Sequence, residues 1–170
     1  LSPESFILSF SLGASASALY KVVFRKTLKK MEIPSAILQR RFLVLTLTVV
    51  FFIFYFDMIS GVSFIYITMG AVLAGVTVIL FYRRDLWLAT IVGGLLYALF
   101  YFVFLWSVNT FIFPGWIERA WTFEHLWGIF WLGIPAEEPL WALTLALICT
   151  PFYEFIEGYA LESHGYFSEK

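Results

Sequence analysis

The chain has 170 residues, of which 61% are hydrophobic, 21% are aromatic and only 14% are charged. A soluble domain would carry roughly a quarter charged residues, so the composition excludes a water-soluble fold and predicts an all-α integral membrane protein. The net charge of −1 provides no global positive field for nucleic acid, which is therefore not expected as a partner.

Five apolar segments approach or exceed the length of about 20 residues that a helix needs to cross a bilayer. They cover residues 6–23, 42–59, 64–82, 86–113 and 126–157. A sixth crossing would require residues 126–134 to form a segment of their own, but these are too few to span. We therefore predict a single transmembrane domain, residues 1–170, with about five helices and a proline-kinked last span.

Basic residues indicate how these spans are oriented. Residues 21–41 contain seven Lys or Arg side chains, and Arg83 and Arg84 lie between the third and fourth spans. The positive-inside rule places both segments in the cytoplasm. This topology puts the N-terminus outside and the C-terminus in the cytoplasm, where we expect Glu154 and Glu157 to be solvated.

The fourth and last spans contain two local signals. Gly93 and Gly94 allow a neighbouring helix to approach closely. Glu137 and Glu138 are adjacent carboxylates between two prolines, in a stretch otherwise apolar enough to enter a bilayer. An ionisable group at such a place is costly, so the pair is a functional-site hypothesis.

A helix beginning near Glu137 would suit this pair. Proline at position 139 fits a first helical turn, where its missing N–H costs nothing. Both carboxylates would then lie near the helix N-terminus, where the dipole favours negative charge. Successive residues diverge by about 100° on a helix, so we expect Glu137 and Glu138 to point in different directions.

The predicted topology places two further polar residues at a similar depth. Asp57 lies near the outer end of the second span and Asn109 near the outer end of the fourth. Whether they meet the glutamate pair depends on helix packing. The structural alternatives are an interfacial helix cap for Asp57 and a helix–helix hydrogen bond for Asn109.

The sequence motifs exclude several kinds of reaction and bound group. A Glu-Glu intramembrane protease of the E-E-x-x-x-R type would need arginine where Ala142 stands, and the sequence shows no dinucleotide-binding pattern or zinc-ligand spacing. We therefore predict no metal and no cofactor. Acid–base chemistry on an apolar molecule, or ion binding, remains. A carboxylic acid in a dry pocket can protonate a carbon–carbon double bond, and aromatic faces stabilise the resulting carbocation.

The stretch from Trp127 to Trp141 resembles the lycopene cyclase domain of small membrane carotenoid cyclases. The family's P-x-E-E motif with a following aromatic residue is matched by Pro135, Glu137, Glu138 and Trp141. The preceding helix opens with Arg84, Asn109 stands where the family has aspartate, and the aromatic turn contains Trp116, Trp121 and Phe123. The more complete module covers residues 64–159. Residues 6–60 form a partial module, with Arg41 and Asp57 but no second P-x-E-E.

The resemblance implies acid-catalysed ring closure at the end of a linear carotene, without net redox change. It assigns Glu137 and Glu138 as proton donor or base, with Asp57 in support, and Asn109, Trp131 and Trp141 as substrate-binding residues. The implied partners are the lipid bilayer and an apolar polyene. Because the family uses two three-helix modules, a second membrane subunit is a further candidate partner.

Two other functions compete with this interpretation. The chain could be a non-catalytic membrane subunit of a larger complex, associated with pigment or lipid. It could also be a small proton-coupled transporter that uses the carboxylates as a relay. Against the transporter, the sequence shows no repeated half with broken helices in corresponding places.

Overall fold

A computed structural model describes residues 3–59, 61, 63–121 and 126–163. Six helices follow one another in this part of the chain: α1 (Pro3–Val23), α2 (Ser35–Ile59), α3 (Phe64–Tyr82), α4 (Trp87–Ser107), the short α5 (Trp116–Ala120) and α6 (Glu137–Glu157). A 3-10 turn (Arg84–Leu86) leads into α4, and a π-helical segment (Val108–Ile112) extends it.

Four segments are long and apolar enough to cross a membrane: Ser35–Met58, Phe64–Tyr82, Arg84–Ile112 and Glu137–Glu157. Helix α1 contributes a shorter apolar stretch, Ile7–Val23. The all-α membrane architecture is therefore confirmed. Its five longer helices correspond to the five predicted spans, of which the first has the shortest apolar stretch.

Helix α6 lies at the centre of the bundle and packs against α1, α2, α3 and α4. Its contact with α4 is the most extensive, and two glycines explain why. A Cβ atom added at Gly93 would lie 2.6 Å from Cγ2 of Thr150, and one at Gly94 would lie 2.7 Å from Cδ2 of Leu147. The predicted close approach at Gly93 and Gly94 is confirmed.

Contacts at the helix ends show that α1, α3 and α6 run in the same direction. Lys21 of α1 and Glu154 of α6 form an ion pair of 2.9 Å, and Arg83, directly after α3, donates a hydrogen bond to the Glu154 carbonyl oxygen. Helices α2 and α4 connect them in the opposite direction. The bundle thus has an arginine end, near Glu154, and a glutamate end, near Glu138. Which end faces the cytoplasm stays a prediction.

The predicted last span, residues 126–157, is longer than the helix that the structure shows there, α6 (Glu137–Glu157). In place of its first part, strand β2 (Phe130–Trp131) pairs antiparallel with strand β3 (Ile134–Pro135). Between them Leu132 and Gly133 have φ angles of 51° and 80°, as in the two-residue turns that suit hairpins. The turn and Pro135 override the apolar character of this stretch, so it forms neither a helical extension nor a sixth crossing.

Two further strands lie at the arginine end. Strand β1 (Lys26–Lys30) pairs antiparallel with β4 (Tyr159–Ser163), so that Lys30 lies opposite Tyr159. Gly158, with a φ of 71°, ends α6 and begins the turn into β4. A left-handed residue in this position is a common helix stop. The strand pair lies across the ends of α1 and α6.

The expectation that Glu154 is solvated is wrong, whereas Glu157 is exposed as predicted. Glu154 is fully buried, and its carboxylate is paired with Lys21. The last turn of α6 lies among α1, α3 and β4, so the side of the helix that carries Glu154 faces protein. A buried carboxylate requires such a partner because desolvation without one is costly.

Candidate active site

The glutamate pair occupies the first turn of α6, as predicted from Pro139. Glu137 and Glu138 are only 1% and 9% exposed. Their position at a helix N-terminus places both carboxylates near unpaired backbone N–H groups and the positive end of the dipole. The helix start therefore offsets part of the cost of burying two acidic groups side by side.

Glu137 joins α6 to α3 and to the segment before the β2–β3 hairpin. Its Oε1 accepts hydrogen bonds from the Tyr66 hydroxyl (3.1 Å) and from the backbone N–H of Trp127. The rings of Tyr66 and Trp127 stack with centroids 5.4 Å apart. The second oxygen, Oε2, is buried and has no hydrogen-bond partner among the described residues.

Glu138 points toward α4 and the loop that follows α5. The Tyr101 hydroxyl donates to its Oε2 at 3.1 Å, and Nε1–H of Trp121 donates to its Oε1 at 2.7 Å. The two carboxylates have separate sets of donors, which confirms that neighbouring positions on the helix direct them apart.

A cavity of about 360 Å³ lies beside Glu138. Side chains from α1, α3, α4, the α5 region and α6 form its walls: Leu8, Leu12, Ile65, Tyr101, Phe104, Leu105, Trp116, Trp121, Glu138 and Trp141. The walls are apolar except for the Glu138 carboxylate and its two donors. A mainly apolar pocket with a few convergent polar groups is typical of a small-molecule site.

The structure brings Trp141 to the cavity but leaves Trp131 outside its walls. Trp141 lies three residues after Glu138, on the same side of α6, and its ring centroid lies 6.3 Å from that of Tyr101. Trp131 is half exposed on β2. Asp57 is also exposed, in the last turn of α2, and does not line the cavity.

Asn109 does not line the cavity; it contacts the short helix α5, which carries one of the lining residues. It lies in the π-helical segment after α4, and its Oδ1 accepts a hydrogen bond of 3.0 Å from the backbone N–H of Ile117. Ile117 belongs to α5 and is fully buried. Asn109 therefore fixes the short helix that carries Trp116 and precedes Trp121.

Sequence reasoning missed the two tyrosines that contact the carboxylates, Tyr66 and Tyr101. A tyrosine within an apolar span indicates such a contact, because a buried tyrosine O–H usually finds a hydrogen-bond partner. Trp116 and Trp121, which the resemblance assigns to the aromatic turn, both line the cavity. The predicted turn residue Phe123 lies outside the described residues.

The fourth apolar span begins at Arg84, as predicted. Arg84 is exposed, whereas its neighbour Arg83 is only 4% exposed and contacts both Asp85 and α6. Among the described residues, no group of three or more His, Cys, Asp or Glu side chains could hold a metal ion. The glutamate pair instead has aromatic and backbone donors around it.

The chain matches the sequence model of one protein family over the region that contains this site. The family model described as lycopene cyclase matches residues 63–156, more than half of the chain. The match begins before α3 and ends in the last turn of α6, so it includes the glutamate pair and all four of its donors. No curated protein and no solved structure matches the chain. On the extent of the family match, the chain belongs to the lycopene cyclase family.

Proposed function

We propose that the protein is a carotene cyclase that closes a ring at one end of a linear polyene by proton transfer through Glu138, without net oxidation or reduction. The observation that carries this proposal is the Glu138 carboxyl group in the wall of an otherwise apolar cavity. In a member of this family, such a cavity suits an apolar polyene end placed against a single acid.

The reaction needs one proton to enter the substrate and one to leave it. The carboxylic acid of Glu138 donates a proton to the terminal carbon–carbon double bond, which leaves a tertiary carbocation. The electron pair of a nearby double bond then forms the ring-closing carbon–carbon bond and moves the positive charge to a ring carbon. Loss of a proton from an adjacent carbon to the carboxylate forms the ring double bond, so the product is an isomer of the substrate.

The cavity walls suit this intermediate. Tyr101, Trp116, Trp121 and Trp141 provide aromatic groups around Glu138, and aromatic faces attract positive charge. The apolar walls also exclude water, which would otherwise capture a carbocation. The same residues thus bind an apolar end group and protect its reactive form.

Glu137 has a positioning role in this proposal. It does not line the cavity but fixes Tyr66 and the Trp127 backbone beside the start of α6. Asn109 positions α5 in a similar way through Ile117. Asp57 and Trp131 lie outside the cavity walls, so we assign proton transfer to Glu138 and support of its surroundings to Glu137.

Conservative substitutions in α6 test this assignment. We expect Glu138→Gln to lose cyclised product, since general acid–base groups contribute about 100-fold or more to a rate. Glu137→Gln should retain reduced activity. Glu157→Gln is the matched control, because Glu157 is exposed at the other end of the same helix. Pigments from cells that make a linear carotene, separated by chromatography, provide the measurement.

Membrane levels of each variant must be equal for this comparison. Cyclised product from Glu138→Gln at the wild-type rate would exclude the assignment. The purified chain, placed in carotene-containing vesicles, separates the cyclase from a non-catalytic membrane subunit. A subunit would produce no cyclised pigment and would co-purify with its complex in constant ratio.

A further inference from the structure

The size of the cavity limits how much of a polyene it accommodates. A cavity of about 150 Å³ lined by aliphatic and aromatic side chains holds one benzene molecule, so about 360 Å³ holds on the order of a dozen carbon atoms. A linear carotene contains several times as many carbon atoms. The cavity therefore has room for one end of the molecule, and the remainder must lie outside.

The most exposed residues of the cavity wall belong to α1 and α4. These helices are joined at Tyr97, whose hydroxyl donates to the Leu12 carbonyl oxygen at 3.3 Å and lies 3.4 Å from Oγ of Ser15. Closer to the glutamate end, Leu8 and Phe104 line the cavity with side chains that are 60% and 54% exposed. Among the described lining residues they are the most exposed, so they mark the mouth.

The surface around this mouth is apolar. On α1, Ile7 and Phe10 are 64% and 71% exposed, and on α4, Phe100 and Val103 are 54% and 47% exposed. Large exposed apolar surfaces on membrane helices contact lipid. The mouth therefore opens sideways toward the hydrocarbon region, where a carotene is dissolved.

We infer that the end of a carotene enters the cavity directly from the bilayer, through the mouth between Leu8 and Phe104, while the rest of the polyene stays in the lipid. This inference rests on the proposed function.

Bulky substitutions at the mouth test the route of entry. Leu8→Trp and Phe104→Trp should narrow the mouth, and the double variant should do so most. The matched controls are Val22→Trp and Leu88→Trp, at exposed positions of the same two helices near the arginine end, away from the cavity. We expect the mouth variants to need several-fold more carotene in the vesicles for half-maximal rate, with the controls unchanged.

Binding without chemistry separates this inference from the proposed function. In a Glu138→Gln background, the linear carotene retained per purified protein is measured by its visible absorbance. Lower retention by the mouth variants than by the controls supports the route, even if no variant cyclises carotene and the proposed function fails. Equal retention and equal rates in mouth and control variants would overturn the route.

Discussion

The donors around Glu138 are aromatic side chains, and this has a chemical consequence. Tyr101 and Trp121 supply an O–H and an N–H to the carboxylate while their rings form part of the apolar wall. A hydroxyl or amide donor from a smaller side chain would leave room for water. The site therefore combines hydrogen bonding with exclusion of water, which a carbocation intermediate requires.

Removal of either donor should slow cyclisation. Trp121→Phe and Tyr101→Phe each delete one hydrogen bond and keep an aromatic ring. The carboxyl group becomes negatively charged as its proton moves to the substrate, and hydrogen bonds to charged groups contribute about 1.5–3 kcal/mol, so each variant should lose about tenfold to 100-fold in rate. Tyr55→Phe, which removes an exposed hydroxyl on α2, is the control. Rates in carotene-containing vesicles that match wild type for both donor variants would contradict a role for these bonds.

At the scale of the elements, the contact between α4 and α6 determines the geometry of the site. Tyr101 lies on α4 and Glu138 on α6, so their hydrogen bond depends on how closely the two helices approach. Gly93 and Gly94 permit that approach. Small residues have this role in membrane helices because packing, and not burial of apolar surface from water, drives helix association.

Gly93→Ala should therefore destabilise the protein. Its Cβ would lie 2.6 Å from Cγ2 of Thr150, and overpacking of this kind costs about 1–3 kcal/mol. The control is Gly13→Ala in α1, where the nearest atom would be Sγ of Cys149 at 3.9 Å. Thermal unfolding in detergent should show a lower midpoint for the first variant alone. Addition of Thr150→Ala should restore part of the loss, and failure to do so would contradict the packing explanation.

At the scale of the whole molecule, the two ends of the bundle differ. Lys21 and Arg83 join α1, α3 and α6 at the arginine end, where Arg83 also donates to the Tyr159 carbonyl oxygen of β4. The glutamate end contains the cavity and its mouth. A bundle fixed by ion pairs at one end can keep an apolar opening between helices at the other.

Loss of the buried ion pair should therefore affect stability more than loss of an exposed one. Lys21→Met leaves the fully buried Glu154 carboxylate unpaired, which costs about 3–5 kcal/mol. Lys29→Met breaks an exposed pair with Glu162 and should cost less than about 1 kcal/mol. Denaturant unfolding in detergent measures both.

A double variant provides the internal check for this pair. Lys21→Met with Glu154→Leu replaces both charges by apolar groups, so it should regain most of the lost stability. If the double variant is as unstable as Lys21→Met alone, the unpaired carboxylate is not the cause of the loss.

Composition and residue order were sufficient to predict the membrane class, the order of the apolar helices and the position of the glutamate pair. Apolar segments set the spans because hydrocarbon requires about 20 residues whose backbone groups are paired internally. Glu137 and Glu138 were recognisable because charged residues are rare in such segments. The motif around Pro135 and Trp141 pointed to the family that the comparison then showed.

The groups that contact these carboxylates depend on how the helices pack against one another. Tyr101 lies 37 residues before Glu138, and Tyr66 lies 71 residues before Glu137. A membrane helix is apolar on nearly every side, so its sequence has no amphipathic pattern that reveals the face it presents to a neighbour. The burial of Glu154 and the residues of the cavity wall could not be predicted from the sequence either. Both depend on side-chain packing between helices that are distant in the chain.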